Sequence, residues 1–332
     1  MKKSVAMCTY NGSMYLQNQL ESIVNQSEQV DEIIICDDCS TDDTVHIAEN
    51  FLKDKGINYR IIKNINNLGF KNNFYQSISL CSGDIIFFCD QDDVWDKDKV
   101  KLMCDVFRTN ENALLVFSNA DVTEQDLQTK GDLFVALSFR KEFMKNSKVQ
   151  VEKLLADNFV TGATSAIRKE LVELAKPYGE KWAHDYWFAV IAAMNNGLYC
   201  IDKKLIKYRQ HSDNTIGILK GVSFDLIKRL FSKDKSNKKN RDNYYAELRI
   251  EILDYLLEFM KEKNTYAPYY SVVKNCYDFW KKREAFAVQG VFKNTGIVLK
   301  DAIHKEQYVY RNTDKPIIKD FIKGIALAHR DA

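Results

Sequence analysis

The sequence predicts an α/β fold in which a mostly parallel sheet is flanked by helices and followed by a helical C-terminal region. Over the first 120 residues, short apolar runs alternate with segments whose apolar residues recur at helical spacing. Strands that alternate with helices in this way form parallel βαβ units. From residue 244 onward, the apolar residues repeat with the period of long helices.

The predicted elements follow from apolar runs, helical repeats and the turn residues between them. The predicted strands are Ser4–Cys8, Glu32–Cys36, Tyr59–Lys63, Ile85–Cys89, Leu114–Ser118, Leu198–Ile201 and Leu205–Tyr208. The predicted helices are Tyr15–Asn25, a helix capped by Ser40 or Thr41, Phe70–Leu80, Asp98–Arg108, Lys169–Ala175, Asp185–Asn195, Tyr244–Lys261, Ala267–Trp280 and Phe286–Ile303. The polar stretch Lys233–Arg241 is the predicted linker. Ligands bind outside the carboxyl ends of parallel strands, so functional residues are expected there.

The composition is that of a globular protein in a reducing compartment. Of the 332 residues, 45% are apolar and 28% are charged. No apolar run approaches the roughly 18 residues that a membrane span needs, and Met1–Val5 leads directly into a strand, which argues against a cleaved signal peptide. Several of the eight cysteines occupy apolar runs, so buried free thiols and a cytoplasmic location are expected.

The charge is divided unevenly along the chain. Residues 220–332 hold 23 Lys and Arg against 15 Asp and Glu, a net charge of +8, whereas residues 1–219 carry −6. A basic region can contact an anionic phospholipid surface or a nucleic acid, and it can equally be a solvated face. The acidic first part argues against nucleic-acid binding by the whole chain.

The most informative segment is Asp90-Gln91-Asp92-Asp93, which directly follows an apolar run that ends at Cys89. Carboxylates at the end of a buried strand are costly unless they bind a cation or share a proton. Two carboxylates at Asp-x-Asp spacing can reach one divalent ion, which also binds the oxygens of a diphosphate. The segment therefore predicts a metal–diphosphate site. The alternative is a solvated acidic turn, with Asp98 capping the next helix.

Three further clusters are candidates for binding or catalysis. Thr9-Tyr10-Asn11-Gly12 and Asp37-Asp38 could hold a pyrimidine, or they could be a turn and helix caps. In His184–Trp187, Asp185 could be a general base or a carboxylate that complements a helix dipole. His211 follows a predicted strand. The chain lacks G-x-G-x-x-G after its first strand and lacks a P-loop motif, which disfavours dinucleotide and P-loop functions.

Seven motifs in order make the sequence resemble the inverting family-2 glycosyltransferases of the GT-A fold. They are Cys-Thr-Tyr-Asn-Gly (8–12), Cys-Asp-Asp-Cys-Ser-Thr-Asp-Asp-Thr (36–44), Asn-Leu-Gly-Phe-Lys-Asn-Asn-Phe (67–74), Asp-Gln-Asp-Asp-Val-Trp (90–95), Val-Thr-Gly-Ala-Thr (160–164), His-Asp-Tyr-Trp (184–187) and Tyr-Arg-Gln-His (208–211). The resemblance covers residues 1–217. More narrowly, the chain looks like the bacterial rhamnosyltransferases that build cell-wall and capsular polysaccharides.

The resemblance implies a role for each matching residue. The implied nucleotide and donor-sugar residues are Thr9, Tyr10, Asn11, Asp37, Asp38, Asn67, Gly69, Asn73, Asp90, Gln91, Gly162 and Ala163. Asp38 would contact the base, and Gly162 and Ala163 would lie beside the donor sugar and the acceptor. The implied metal ligands for Mg²⁺ or Mn²⁺ are Asp92, Asp90 and His211. Asp185 would be the catalytic base, and the implied acceptor residues are His184, Tyr186 and Trp187.

Two residues depart from the family pattern. Cys39 stands where a glycine commonly forms a turn, which a cysteine tolerates if its φ is negative. Ala163 replaces the second glycine of a Gly-Gly pair, and we expect it to narrow the donor-sugar pocket.

The resemblance also implies a reaction and a domain organisation. Residues 1–219 would form the catalytic domain, with a nucleotide-sugar half (1–120) and an acceptor half (121–219), and residues 220–332 a basic helical region for membrane association or homo-oligomerisation. The implied reaction moves L-rhamnose from dTDP-L-rhamnose, with inversion, to a polyprenyl-diphosphate-linked glycan at the cytoplasmic membrane face. UDP-glucose and UDP-galactose are the alternative donors. A nucleotidyltransferase and a non-catalytic binding module are the alternatives from other classes.

Overall fold

The computed structural model of the chain describes residues 1–211 and 238–286. Within these ranges, one mixed sheet contains nine strands. The strands are β1 Lys3–Thr9, β2 Glu32–Asp37, β3 Asn58–Lys63, β4 Ile85–Cys89, β5 Val94–Trp95, β6 Leu115–Thr123, β7 Thr129–Asp132, β8 Ser165–Arg168 and β9 Leu198–Arg209. The helices are α1 Leu16–Val24, α2 Thr44–Leu52, α3 Gly69–Leu80, α4 Lys99–Thr109, α5 Leu133–Ala136, α6 Ser147–Ala156, α7 Lys169–Leu174, α8 His184–Met194, α9 Lys238–Glu262 and α10 Tyr270–Phe286. Short 3₁₀ helices cover Lys141–Met144, Gly162–Thr164 and Asn264–Tyr269.

The order of the strands explains how distant segments meet at one edge of the sheet. The order is β3-β2-β1-β4-β8-β6-β9-β5, with β7 paired to β6. Strands β3, β2, β1 and β4 are parallel, whereas β8 is antiparallel to β4 and pairs Ala166 with Phe87. An antiparallel strand begins where its neighbour ends. The turn Gly162–Thr164, which precedes β8, therefore lies beside the acidic loop that follows β4.

The predicted α/β class is confirmed, because a mostly parallel sheet is flanked by helices and a helical region follows. The two short strands predicted at 198–201 and 205–208 are one strand, β9, which pairs with β6 through register shifts. Helix α2 begins at Thr44, later than the predicted caps, because Ser40 donates two hydrogen bonds to Asp37 instead.

Three predictions concern residues in or next to the parts of the chain that the structure does not describe. Residues 238–241 of the predicted linker are helical and open α9, and residues 233–237 lie outside the described ranges. Helix α10 ends at Phe286, so residues 287–303 of the last predicted helix also lie outside them. The same holds for the proposed domain boundary at residues 219 and 220.

The core of the sheet lies under the acidic loop. All five residues of β4 are buried, and so are the central residues of β1 and β2. Strands covered on both faces have continuous apolar sequences, which is why period-2 alternation is missing here. Each buried Phe or Ile side chain stabilises the fold by about 1.5–3 kcal/mol, so the strand that leads into Asp90 is rigidly placed.

The described chain divides into two compact units. The first comprises residues 1–147, 159–178 and 183–211, and the second comprises residues 148–158, 179–182 and 238–286. In the second unit, the buried guanidinium of Arg249 donates hydrogen bonds to the carbonyl groups of Leu155 and Ala156 (2.8 Å to the latter). Trp182 Nε1 donates to the Ile252 carbonyl (3.0 Å). Among the described helices, none has the length and apolar character that a membrane span requires.

We expect Arg249→Met to destabilise the protein by about 2–4 kcal/mol, because the last carbonyl groups of α6 lose their buried donor. The measurement is urea unfolding followed by circular dichroism. Lys261→Met is the matched control, because it removes a positive charge from an exposed position on the same helix. Equal losses in the two variants would show that the Arg249 contacts contribute little.

Candidate active site

The buried carboxylate of Asp37 joins the ends of β1 and β2. Its Oδ2 accepts hydrogen bonds from Thr9 Oγ1 (2.8 Å) and Ser40 Oγ (2.5 Å), and its Oδ1 accepts one from the Ser40 N–H (2.9 Å). Thr9 and Asp37 are both buried. Thr9 and Asp37, which are predicted to bind the nucleotide sugar, therefore hold the loops of the site in place. Direct contact of either residue with a nucleotide stays a prediction.

Asp38 fastens the loop that leads into α3. Its carboxylate accepts hydrogen bonds from the backbone N–H groups of Leu68 (2.7 Å) and Gly69 (2.9 Å), and from Asn64 Nδ2 (2.9 Å). Gly69 has a φ of +75°, a backbone conformation that favours glycine. The predicted contact of Asp38 with a base stays a prediction, whereas its role in shaping this loop is visible.

Two more residues that are predicted to bind the nucleotide sugar also make hydrogen bonds within the protein. Asn67 Nδ2 donates to the carbonyl of Asp38 (3.0 Å). Asn73 is 2% exposed, and its Nδ2 donates to the carbonyl of Cys36 (2.8 Å). Asn73 therefore connects α3 to β2, and its direct contact with the nucleotide sugar stays a prediction.

Cys39 does not meet the condition of a negative φ under which a cysteine is tolerated in this turn. Its φ is +70°, in the left-handed region that costs a residue with a side chain about 1–2 kcal/mol. The thiol donates a hydrogen bond to the carbonyl of Asn64 (3.0 Å), which offsets part of that cost. The turn therefore keeps the shape that a glycine would give it.

Tyr10 presents a ring to solvent beyond the end of β1. Its side chain is 52% exposed, while its backbone is hydrogen-bonded to the amide of Gln91. Asn11 links the loops after β1 and β2, because its N–H donates to Ser40 Oγ (2.8 Å) and its Oδ1 accepts from the Thr41 N–H (2.9 Å). An exposed aromatic ring on a fixed loop is suited to stacking with a flat base.

The acidic loop brings three carboxylates close together. Burial, and then the charges of Asp92 and Asp185, raise the pKa of Asp90 to about 7. Burial and the charges of Asp92 and Asp90 raise the pKa of Asp93 well above its ordinary value. Asp93 Oδ1 accepts the Arg209 N–H (2.9 Å), whereas its buried Oδ2 has no hydrogen-bond partner among the described residues. Crowded, partly desolvated carboxylates of this kind favour either a proton or a bound cation.

Two buried cations that the sequence analysis did not single out oppose this negative charge. Lys99, on α4, is fully buried, and its Nζ donates to the carbonyl of Ala163 (2.7 Å) and lies 3.9 Å from the centre of the Trp95 ring. Burial lowers the pKa of Lys99 to about 8. Arg209 Nε donates to the carbonyl of Asp92 (2.6 Å). Arg209 lies within one quoted motif, and Lys99 lies four residues after another. The spacing of residues in a sequence does not show that such a side chain is buried.

Asp185 lies in the first turn of α8 and contacts the turn before β8. Its Oδ2 accepts the N–H of Gly162 (3.0 Å), and its Oδ1 accepts the N–H of Tyr186 (2.7 Å). Burial raises the pKa of Asp185 to about 6, although both N–H groups oppose the shift. Because the negative charge of Asp185 raises the pKa of Asp90, the two carboxylates share one electrostatic environment.

The three predicted acceptor residues on α8 are buried. Trp187 is fully buried, and its Nε1 donates to the carbonyl of Ala175 (2.8 Å). The His184 ring stacks on Phe74 with 4.0 Å between centres, and burial lowers its pKa to about 3. Tyr186 is 8% exposed. Trp187 thus packs in the core, and contact of these three residues with an acceptor stays a prediction.

A divalent cation fits the residues of the acidic loop. Asp92 Oδ2 and His211 Nε2 are hydrogen-bonded at 2.7 Å, so an oxygen and a nitrogen ligand lie side by side, and a bound ion would replace the proton between them. In the described part of the chain, no three acidic, Cys or His side chains form a ready-made metal cage. Mg²⁺ and similar ions are commonly held by one or two protein ligands, with substrate phosphates completing the coordination shell. The donor set of this loop matches that arrangement.

A family model described as "Glycosyl transferase family 2" matches residues 4–174, which is just over half of the chain. The chain belongs to glycosyl transferase family 2. The glycosyltransferase is therefore an enzyme, and the matched region runs from β1 through the acidic loop to α7.

Two relatives carry more specific names. The glycosyltransferase is 32% identical over 225 residues to the dTDP-rhamnosyl transferase RfbG of Shigella flexneri, which covers 64% of this chain and 73% of the relative. It is 28% identical over 258 residues to the GalNAc(5)-diNAcBac-PP-undecaprenol beta-1,3-glucosyltransferase of Campylobacter jejuni, which covers 74% and 80%.

Two solved structures share the fold. Residues 1–349 of S. aureus TarS in complex with UDP-GlcNAc match with a TM-score of 0.55 and 18% identity, over 98% of this chain and 92% of that chain. The mannosyltransferase PcManGT from Pyrobaculum calidifontis, in complex with GDP-Man and Mn²⁺, matches with a TM-score of 0.50 and 13% identity, over 98% and 87%. At these identities the likeness establishes the GT-A architecture.

We expect Lys99→Met to destabilise the glycosyltransferase by about 3 kcal/mol at about pH 7, where Lys99 is still charged, and by less at about pH 5. A folded-state pKa above the unfolded value gives Asp90 a stabilising contribution that is lost as the pH rises toward about 7. Removing the Lys99 charge raises that pKa further, so the difference between variant and wild type grows with pH. The measurement is urea unfolding at both pH values.

Lys97→Met serves as the control for Lys99→Met, because Lys97 is exposed and only two residues away. A loss of stability in Lys99→Met that is the same at both pH values would mean that Lys99 contributes packing and the Ala163 hydrogen bond alone.

Proposed function

We propose that the protein is a metal-dependent inverting glycosyltransferase that moves L-rhamnose from dTDP-L-rhamnose to a hydroxyl of a lipid-linked glycan in surface polysaccharide synthesis. The observation that carries the proposal is the placement of Asp185. This carboxylate is fixed by two backbone N–H groups, has a raised pKa, and lies close enough to the acidic loop to shift the pKa of Asp90.

The donor nucleotide would occupy the edge formed by the loops after β1, β2 and β4. The exposed Tyr10 ring offers a stacking surface for the base. The loops beneath it are held in place by the hydrogen bonds of Asp37 and Asp38. The base would then lie at one end of the site, with its diphosphate directed toward the acidic loop.

Asp92 and His211 would hold the divalent ion, with Asp90 close by. When bound, the ion neutralises the negative charge that develops on the departing diphosphate. Asp90 and Asp93 carry raised pKa values without a cation. A nearby positive charge favours the ionised carboxylates, so ion binding would lower both pKa values.

Asp185 would accept the proton of the acceptor hydroxyl. As that O–H bond breaks, the acceptor oxygen forms a bond to the anomeric carbon of the sugar, and the bond from this carbon to the diphosphate oxygen breaks. One displacement of this kind inverts the configuration at the anomeric carbon. A base with a pKa of about 6 is ionised near neutral pH and still accepts a proton effectively in the transition state.

The donor and the acceptor are the finer parts of the proposal. The name of the Shigella relative supports a dTDP-rhamnosyl donor, and that of the Campylobacter relative supports a lipid-linked acceptor and a glucosyl donor as the alternative. The net charge of +8 over residues 220–332 supports peripheral contact with an anionic membrane surface. Family membership removes the reason to consider a nucleotidyltransferase.

We expect dTDP-L-rhamnose with Mn²⁺ to bind at least about tenfold more tightly than UDP-glucose, UDP-galactose or GDP-mannose. Because tighter binding stabilises the folded protein, dTDP-L-rhamnose should raise its melting temperature more than the other three nucleotide sugars do. The measurement is a thermal-shift titration of the whole chain, followed by assay of sugar transfer. In Asp92→Ala, we expect the gain in affinity from Mn²⁺ to be lost.

The exposed Asp54→Ala is the control for Asp92→Ala. Tighter binding of UDP-glucose would replace the proposed donor and leave glycosyl transfer standing. If the wild type bound the nucleotide sugar with the same affinity in the presence and absence of Mn²⁺, the proposed metal dependence would be contradicted.

We expect Asp185→Asn to lower kcat about 1,000-fold while donor affinity stays unchanged, because the amide cannot accept the hydroxyl proton. In the wild type, kcat should fall about tenfold per pH unit below about pH 6, where Asp185 takes up a proton. Stability should fall modestly, because the amide oxygen accepts only one of the two N–H groups that the carboxylate accepts. Steady-state kinetics against pH test this, with Asp54→Asn as the control. A variant that keeps full activity would require another base.

A further inference from the structure

The side chain of Gln91 holds the backbone of Tyr10 through both of its polar atoms. Gln91 Oε1 accepts a hydrogen bond from the Tyr10 N–H (2.8 Å), and Gln91 Nε2 donates one to the Tyr10 carbonyl (2.9 Å). The two residues are 81 positions apart in the sequence. The amide therefore ties the loop after β4 to the loop after β1 at a single residue.

Gly12 provides the space that this contact needs. A Cβ atom at Gly12 would lie 2.2 Å from Gln91 Oε1 and 2.3 Å from its Cδ, far inside van der Waals contact. Gly12 is not among the residues with positive φ, so its backbone conformation does not require a glycine. The glycine is explained by the close approach of the Gln91 amide.

The contact also explains the residue type at position 91. Glutamine is neutral and carries one donor group and one acceptor at its tip, as the two hydrogen bonds require. A glutamate would lack the donor and would add a charge between Asp90 and Asp92. A leucine has a similar volume and can make neither bond.

We propose that Gln91 is a positioning residue that sets the Tyr10 ring for the nucleobase, and that it does not itself bind the donor phosphates. This inference rests on the proposed function, in which Tyr10 stacks with the base. The family resemblance implies that Gln91 contacts the nucleotide sugar directly. We propose instead that Gln91 acts on the nucleotide sugar through Tyr10. The loop that carries the metal ligands thereby also determines the geometry of the base site.

The test separates the base from the phosphates. Binding of dTMP and UMP reports on the base site, and binding of inorganic pyrophosphate with Mn²⁺ reports on the acidic loop, both by calorimetry on the whole chain. We expect Gln91→Leu to weaken binding of the preferred monophosphate by about tenfold, within the contribution of one base–aromatic stack, and to leave pyrophosphate affinity unchanged.

Gly12→Ala approaches the same contact from the other side, because its methyl group displaces the Gln91 amide without altering the acidic loop. We expect it to reproduce the loss in monophosphate binding. In the double variant the two losses should not add, since both remove one interaction. Gln17→Leu, at an exposed position on α1, is the matched control and should bind both probes as the wild type does.

Each outcome decides between the alternatives. Equal losses for monophosphate and pyrophosphate in Gln91→Leu would show that Gln91 acts at the phosphates, and unchanged monophosphate binding would show that the contact is only structural; either result overturns the proposal. Additive losses in the double variant would overturn it as well. A wild type that binds neither probe would contradict the proposed function itself, and the role of Gln91 with it.

Discussion

The repulsion among four carboxylates at one edge of the sheet is the constraint on which the rest of the site depends. Asp92 and Asp93 are buried, Asp90 and Asp185 are partly buried, and the pKa values of Asp90, Asp93 and Asp185 are raised. Such an arrangement is stable only when protons are bound or positive charge compensates the carboxylates. The fold supplies part of it from Lys99 and Arg209, and the proposed divalent ion would supply the remainder.

Compensation by Lys99 also connects the two halves of the proposed reaction centre. Its ammonium group bonds to the carbonyl of Ala163, and the adjacent N–H of Gly162 bonds to Asp185. The short turn between them lies where it does because β8 runs antiparallel to β4. One lysine and one reversed strand thus set the distance between the acidic loop and the proposed base.

The residues of the quoted motifs divide into those that build loops and those that face solvent. Asp37, Asp38 and Asn73 use their side chains for hydrogen bonds inside the protein, whereas Tyr10 leaves its ring exposed. A sequence motif gives the positions of these residues, but it does not show which side chains form hydrogen bonds inside the protein and which face solvent. Cys39 illustrates the same point, since the motif gives its position but neither its positive φ nor the hydrogen bond of its thiol to Asn64.

The sequence by itself determined the fold class, the positions of the main strands and helices of the first part of the chain, and the edge of the sheet at which the acidic loop lies. Apolar periodicity and turn residues act locally, so they indicate secondary structure without knowledge of the tertiary contacts of each segment. Only the tertiary structure decided that Trp187 is core, that Lys99 is buried under the acidic loop, and that Gln91 contacts Tyr10. These facts depend on contacts between residues far apart in the chain, and burial and charge compensation arise only once those contacts have formed.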